Sequence, residues 1–581
     1  MSSDPALQLQ HERVDDIPVL LGLMQQLQLP ELLEEALGSH HLHRGLSNGW
    51  LATIWMAFIL SEANHCKVRV QDWACRHQHT LATIVGQPVR DIEFSDDRLA
   101  IILRRLHDAD WTALEASLWQ ATCQVYELPL ECIRLDSSTT YGFHEITAQG
   151  ILQLGHSKDH RPDLPQLKLM AAAAQPTSQV IACDIVPGNC ADDPLYLPLI
   201  HRLRSQLKRQ GLLYAGDCKM AALETRADLA DAGDYYLMPL PKTGDTAAWF
   251  DSWINRGLEQ NDVKLQEFTK LDDQDKPFLY ARGYEFERDC TCQLNAKTVC
   301  WKERVQVLCS ESLRQQQAKS LDERLQRATE ELLALTPPVG RGHKQIRLET
   351  ELQAAIAAVL EQRRVTGLLE VTWRREECVK ERQQGRGRPG PGRVTELVTT
   401  VRYEVTGVTR RAAAIHEAKE RLGWRVQVSN LPKKRCTLEG ALLLYNGGWS
   451  VERDFHLLKD RPLGIQPLLV REEEQIIGLT RLLTIALRVL TVLELVVRAG
   501  LQEAGEKLSG LYEGQARRTT ATPTAVRLLK AISRLQITVT RVKSAESESW
   551  HITPLPALLQ RILELLKLPA KVYTQLAEDT C

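Results

Sequence analysis

What the sequence lacks narrows its class before any motif is considered. Its 581 residues carry a net charge of only -2, with a pI near 6.8. No chain-wide field draws it to a polyanion, so any contact with nucleic acid has to come from local basic patches. A basic segment followed by an apolar run is missing after Met1, where Ser2, Ser3 and Asp4 follow instead. No secretory signal is therefore expected, and the chain is expected to stay in the cytoplasm. A clean bilayer-length apolar run is also missing. The nearest approach, Ile476 to Leu501, is interrupted by Arg481, Arg488, Glu494 and Arg498, each expensive at a membrane centre; it is read as a buried amphipathic helix, with no membrane partner. Paired C-x2-C spacing is absent as well. Most of the fourteen cysteines stand singly in apolar surroundings, as Cys132, Cys183 and Cys218 do, where a reduced thiol behaves as a small hydrophobe, and a disulfide framework is not expected in that compartment. Cys290, Cys292, Cys300 and Cys309 depart from common zinc spacing and are read as alternating strand positions.

With 44% hydrophobic and 25% charged residues, the chain is globular throughout and long enough for about three or four structural units. Five segments follow from the change in hydrophobic period. Residues 1–130 are a helical N-terminal domain, with apolar residues at three and four spacing in PVLLGLMQQLQLPELLEEAL and WLATIWMAFIL; Lys67, Arg69 and Arg76 are its candidate DNA contacts. Residues 131–242 turn to short β-rich runs (CIRLDSSTTYGF, LPQLKLMAAAAQ, QVIACDIVPG), then helix, strand LLYAGD, helix and strand YYLMPLP. Short connections make the first three strands an antiparallel meander, and helical crossovers make the later ones parallel. That mixture is what a ribonuclease H-like sheet requires.

Residues 243–409 interrupt this plan and are read as an insertion. It holds a long charged helix from about Ser310 to Leu335, a second near Glu349 to Arg364, and the segment GRGRPGPGR, which is too rich in glycine and proline for regular structure. From Arg341 to Arg393 there are twelve Lys or Arg against seven Glu, so Arg386, Arg388 and Arg393 are candidate DNA contacts. Residues 410–467 resume the core with a helix, the strand WRVQVSNLP and a helical stretch from about Leu438 to Asp460. Residues 468–581 are expected to be helical to the end, with a basic segment between Gly514 and Ala545. The expected class is thus α/β: a ribonuclease H-like mixed-sheet core with a large insertion, flanked by helical N- and C-terminal regions.

Two aspartates lie where core strands meet polar surroundings. Asp136 ends the apolar run CIRL, and Asp217 ends LLYAG; on neighbouring strands they can share one cation, although a strand-end Asp also commonly caps a turn. A third element, LLLYNGGWSVERDFHLLKDRPLG, holds Tyr445, Glu452 and Lys459 at successive intervals of seven. Seven residues are almost two helical turns, so Glu452 and Lys459 share one face. A carboxylate for a metal and an ammonium for a phosphate then point into the same cleft.

These residues resemble the bacterial insertion-sequence DDE transposases, whose third carboxylate lies in a Y-x2-R-x3-E-x6-K signature. Tyr445, Glu452 and Lys459 match it in register, Asp136 and Asp217 fall where that family's first two aspartates are expected, and GHSKDHRPDLPQLKL resembles the stretch between its first two core strands. The signature Arg position is Gly448, preceded by Gly447, and two glycines inside a helix cost about 2 kcal/mol relative to alanine. Either the helix starts later or the phosphate contacts have moved. Arg453 is the adjacent candidate, about 100° around a helix from Glu452.

The resemblance implies an enzyme that cuts at the ends of its own element and joins them to target DNA. Asp136, Asp217 and Glu452 would bind two Mg²⁺ or Mn²⁺ ions, since oxygen donors suit such cations. Its partners would be double-stranded DNA, as terminal inverted repeats and as target, and a second copy of the chain in a homodimeric DNA complex. Two other readings stay open: a nuclease or resolvase on the same fold without strand transfer, and a non-catalytic DNA-binding relic.

Overall fold

The computed structural model describes residues 8–40, 44–260, 262–272, 274–294, 297–340, 343–383, 395–515, 517–544 and 548–578. The chain divides into two compact units, Met1–Met238 with Asp289–Trp301 and Asn430–Cys581, and Pro239–Arg288 with Lys302–Ser429. In chain order the strands are β1 (Gln8–Arg13), β2 (Cys132–Tyr141), β3 (Gln166–Gln175), β4 (Gln179–Pro187), β5 (Leu213–Ala215), β6 (Tyr235–Pro239), β7 (Gln266–Leu271), β8 (Pro277–Leu294), β9 (Lys297–Ser310), β10 (Leu369–Gln383), β11 (Thr395–Arg410), β12 (Trp424–Ser429), β13 (Thr538–Lys543) and β14 (Glu548–Ile552).

The first unit contains the strand order β4-β3-β2-β5-β6. β2 pairs antiparallel with β3, and β3 with β4. β5 lies parallel to β2 on its other side, and β6 parallel to β5. An antiparallel meander extended by parallel strands is the ribonuclease H-like plan, and its cause is connection length: two tight returns first, helical crossovers afterwards. Every residue of β3 is buried, so both of its faces are covered. Helices Trp111–Tyr126, Tyr196–Leu207 and Glu473–Ala504 all pack on β4, and the second reaches β3 as well.

Helix Glu473–Ala504 is long and apolar enough to cross a membrane by length and composition, yet 89% of its most apolar window is buried inside the unit. Its charges explain that placement, because each finds a partner within the protein. Arg481 donates to the carbonyls of Leu106 and His107 at 2.6 and 2.8 Å. Arg488 meets Glu115 at 2.7 Å and the Ile181 carbonyl at 3.0 Å. Glu494 pairs with Arg453 and with Arg498. Gly478 lets the helix close on Asp96–Asp108, since a β-carbon there would lie 2.6 Å from the Leu103 carbonyl carbon. One hydrophobic core consequently joins the N-terminal helices, the sheet and the C-terminal helices.

Two differences from the sequence reading stand out. The C-terminal region is not helical throughout: β13 pairs antiparallel with both β1 and β14. The β-branched run from Ile537 to Val542 favours a strand, but its partner β1 lies more than 500 residues upstream, beyond any local window. Segments expected to be separate at the two ends share one compact unit with the sheet. Helix Ala412–Glu420 and β12 lie in the second unit. There β12 pairs antiparallel with β9, and β8 and β7 follow in order. The antiparallel pair β10/β11 and helices Glu311–Ala334 and Glu349–Gln362 carry its own apolar cluster around Leu325, Leu332 and Leu352. The four cysteines set aside as non-zinc lie on β8 and β9.

The buried charges generate a stability prediction. Glu115 is fully buried and accepts from Arg488, Arg202 and the Cys183 amide. Glu115→Ala leaves the buried Arg488 guanidinium without a carboxylate and Arg202 with Asp184 alone, and is expected to cost about 3–5 kcal/mol, read as a lower urea midpoint. Glu472→Ala, which removes an exposed partner of Arg104, should leave the midpoint nearly unchanged.

Candidate active site

The site is built from strand register. Ile133 and Arg134 of β2 lie opposite Tyr214 and Ala215 of β5, so two residues further along these parallel strands Asp136 and Asp217 are level with each other. Strands so paired run about 4.8 Å apart. Asp217 remains extended (φ -79°, ψ -175°) and caps the short turn Cys218–Ala221, its Oδ1 accepting from the Lys219 amide at 2.9 Å. The same oxygen accepts from the Tyr196 hydroxyl at 2.6 Å. Tyr196 is fully buried at the start of its helix, and burial together with the Asp217 charge holds its hydroxyl protonated, well above the ordinary phenol range.

Asp136 is three-quarters buried. Its Oδ1 accepts from the Ser137 amide at 2.7 Å and lies 3.5 Å from Lys158 Nζ. Burial pushes the carboxyl above its usual value; Lys158 opposes that shift, and the negative charges of Asp217 and Glu452 add to it. The charges of Asp217 and Glu452 thus both reach Asp136. Among the described residues, however, no three His, Cys, Asp or Glu side chains stand close enough to form a ready-made metal cage. The donors themselves suit a hard divalent cation, being oxygens only, and the elevated Asp136 carboxyl marks a place where positive charge is in deficit.

Glu452 is exposed in the first turn of helix Trp449–Lys459, which packs against β2. Tyr445 sits on a separate helix, Leu438–Asn446, and Gly447 and Gly448 form the joint between the two. The later helix start is thus what the paired glycines produce. Lys459 is nearly buried and ion-paired with Asp159 at 2.7 Å; Asp159 also accepts from Thr139 Oγ1 at 3.2 Å. Arg453 is not brought to the carboxylates. It pairs with Glu494 and, at 3.4 Å, with Asp454.

Arg386, Arg388 and Arg393 lie outside the described residues. Elsewhere in the basic stretch, Arg374 and Arg375 pair with Glu404 and Glu377 at 2.7 and 2.6 Å. Of the N-terminal cations, Arg69 and Arg76 are exposed, whereas Lys67 lies 3.3 Å from Asp96. In the tail, Arg518 and Arg527 sit over the Tyr512 ring at 4.0 and 4.2 Å.

Sequence reasoning missed Lys158, Asp159, Tyr196 and Arg134. The first two lie in GHSKDH, a stretch that had drawn attention without any role being assigned to its charges. Tyr196 and Arg134 carried no local signal, since a helix-start tyrosine and a strand arginine are ordinary.

Carboxylates on adjoining central strands of a ribonuclease H-like sheet, here in the middle of β2 and just beyond β5, are the equipment of polynucleotidyl transfer. The sequence makes the class narrower: residues 131–488 match the family described as "Transposase DDE domain". The match covers well over half of the chain, which belongs to that family. It is accordingly an enzyme of DNA cleavage and strand transfer that depends on a divalent metal. Among curated proteins none matches the sequence. A piggyBac transposase, solved by cryo-EM in a synaptic complex with hairpin DNA, aligns over 97% of this chain and 89% of its own, at 7% identity and a TM-score of 0.35. That likeness is too distant to bear on residues or partners.

The elevated Asp136 carboxyl predicts a pH dependence. Its folded value lies above the ordinary 3.8, so the unfolded chain gives up this proton first, and the metal-free protein loses stability as pH rises from about 3.8 through the folded value. Asp136→Asn removes the penalty. In chelator the variant should melt above wild type at pH 7, with the gap closing toward pH 4, and saturating Mn²⁺ should reverse the order. A gap that does not change with pH would show that Asp136 ionises in the folded protein as readily as in the unfolded chain.

Proposed function

We propose that this chain is the transposase of a bacterial insertion sequence of the Y-x2-R-x3-E-x6-K type, nicking at the ends of its own element and joining the freed 3′ hydroxyl to target DNA. Asp136, Asp217 and Glu452 are the catalytic carboxylates. The observation that carries the reading is the β2/β5 register, which supports Asp136, in the middle of β2, and Asp217, just beyond β5, as neighbours on parallel strands, together with the reach of the Glu452 charge to Asp136.

The three carboxylates would hold two Mg²⁺ or Mn²⁺ ions, which activate the attacking hydroxyl and stabilise the leaving oxygen when bound. The chain's own contributions are positional. Tyr196 occupies one oxygen of Asp217 and leaves the other for the cleft. Lys158 offsets the Asp136 charge before substrate arrives. Lys459, held by Asp159, is the ammonium that meets a backbone phosphate, and Tyr445 borders the same cleft. Because both steps are in-line displacements at phosphorus, one carboxylate set serves both, and no serine nucleophile is needed. Double-stranded DNA is engaged as terminal inverted repeats and as target by a homodimer, through local cations: Arg69 and Arg76 at the N-terminus, Arg386, Arg388 and Arg393 in the insertion, and the tail segment. Arg453 is left out of this interface because its charge is already matched by Glu494.

A paired assay on DNA carrying the element's ends tests the reading. With Mg²⁺, Glu452→Gln should lower nicking and strand transfer by at least about two orders of magnitude while DNA binding persists. Glu439→Gln should stay active. Lys459→Ala should weaken transfer but keep metal binding. Nicking by Glu452→Gln at the wild-type rate, or loss of activity in Glu439→Gln instead, would refute the site assignment; a wild type that binds the ends without cutting would identify a relic.

A further inference from the structure

Gly448 stands where the family signature has an arginine, and the space beside it is filled from the sheet. A β-carbon on Gly448 would lie 2.7 Å from Cζ of Arg134 and 3.1 Å from its Nε, well inside van der Waals contact. The obstruction is not the loose end of a surface chain, because Arg134 is only 6% exposed. Its Nη2 donates to the carbonyls of Leu444 and Tyr445, each at 3.0 Å. These belong to the last turn of helix Leu438–Asn446; the Tyr445 carbonyl also accepts from the Gly448 amide at 3.1 Å. The guanidinium also lies 5.3 Å from the centroid of the Tyr445 ring. A third carbonyl at the joint, that of Gly447, accepts from Gln175 Nε2 of β3 at 3.2 Å.

Arg134 therefore links three things. It shares a face of β2 with Asp136, two residues along; it binds the end of one helix; and it fills the niche left by the glycine one turn before Glu452. We infer that Arg134 is a positioning residue that pins the helix joint to β2 and so sets the position of Glu452 relative to Asp136, and that residue 448 is glycine because the guanidinium comes from the strand rather than from the helix. The inference rests on the reading of Asp136, Asp217 and Glu452 as metal carboxylates and extends it to two residues that touch no metal. A lysine at 134 would keep the charge but not the planar fork that reaches two carbonyls while facing a ring.

Mn²⁺ binding to the full-length protein without DNA, read from the electron paramagnetic resonance signal of the free ion, tests it. Glu452→Gln, Gly448→Ala, Arg134→Lys, Arg134→Met and the Gly448→Ala/Arg134→Met pair would be compared, with circular dichroism and thermal midpoint confirming folding. Glu452→Gln and Gly448→Ala should each weaken binding by about tenfold or more, the cost typical of losing a group that orients a metal ligand. Arg134→Met should match Gly448→Ala, the double variant should be no worse than Arg134→Met, and Arg134→Lys should fall between. If Gly448→Ala binds Mn²⁺ like wild type while Glu452→Gln does not, the positioning role is wrong and the carboxylate assignment survives. Wild-type binding by Glu452→Gln overturns both. Independent, multiplying effects in the double variant also reject the inference. Should Arg134→Met fail to fold, Gly448→Ala and Arg134→Lys still decide the matter.

Discussion

Three residues of β5 hold Asp136 and Asp217 side by side in the first unit. Parallel pairing of Leu213–Ala215 beside β2 is the only reason that Asp136 and Asp217, far apart in sequence, become neighbours. A slip of one residue would turn the β2 side chains to the opposite face of the sheet and carry Asp136 with them. So short a strand cannot set its register by hydrogen bonds alone. Packing sets it: Tyr214 and Ala215 are fully buried, β3 is closed on both faces, and Tyr196 ties the residue that follows the strand to a helix on the sheet. The two aspartates are held in place because everything behind them is fixed.

Buried charge organises the same unit on a larger scale. A helix of 32 residues with arginines and a glutamate in its apolar face can only lie where those charges are met, and their partners come from elements spread over the chain: the helix carrying Glu115, the β4 carbonyl of Ile181, and Arg453 beside the third carboxylate. Each contact is a constraint more than a source of net stability, since desolvation offsets much of a buried pair's attraction. Together they make the N-terminal helices, the sheet and the C-terminal helices one body.

That coupling explains what could be read from the sequence. Local patterns were sufficient for the strand-helix order of the sheet, for Asp217 just beyond a strand and for Glu452 and Lys459 on one helix, because period and turn residues are local properties; Asp136, expected where a strand ends, lies in the middle of β2. They failed where a residue's meaning lies in a distant partner. Nothing in Gln8–Arg13 announces that it will pair with Thr538–Lys543, and nothing in Arg134 announces that it will cap a helix more than 300 residues away. The double glycine was visible as an anomaly, but its cause sits on another strand. Arg453 shows the converse, since its position beside Glu452 suggested a phosphate contact, whereas Glu494 claims its charge.

The arrangement of cations around the carboxylates carries the argument one step further. Asp136 is buried enough to resist ionisation and stands near two more acids, a combination that is unstable without positive charge. Lys158 stands beside Asp136, and Lys459 on the neighbouring helix is held by Asp159. An ammonium on four flexible carbons satisfies a carboxylate loosely, as a point charge, and can move away when a stronger cation or a phosphate competes. Arginine is used instead where the geometry must not change, at the joint bound by Arg134 and along the buried helix. The division of labour between the two side chains thus separates what must stay rigid, the placement of the acids, from what must yield, the charge that neutralises them until metal and DNA are present.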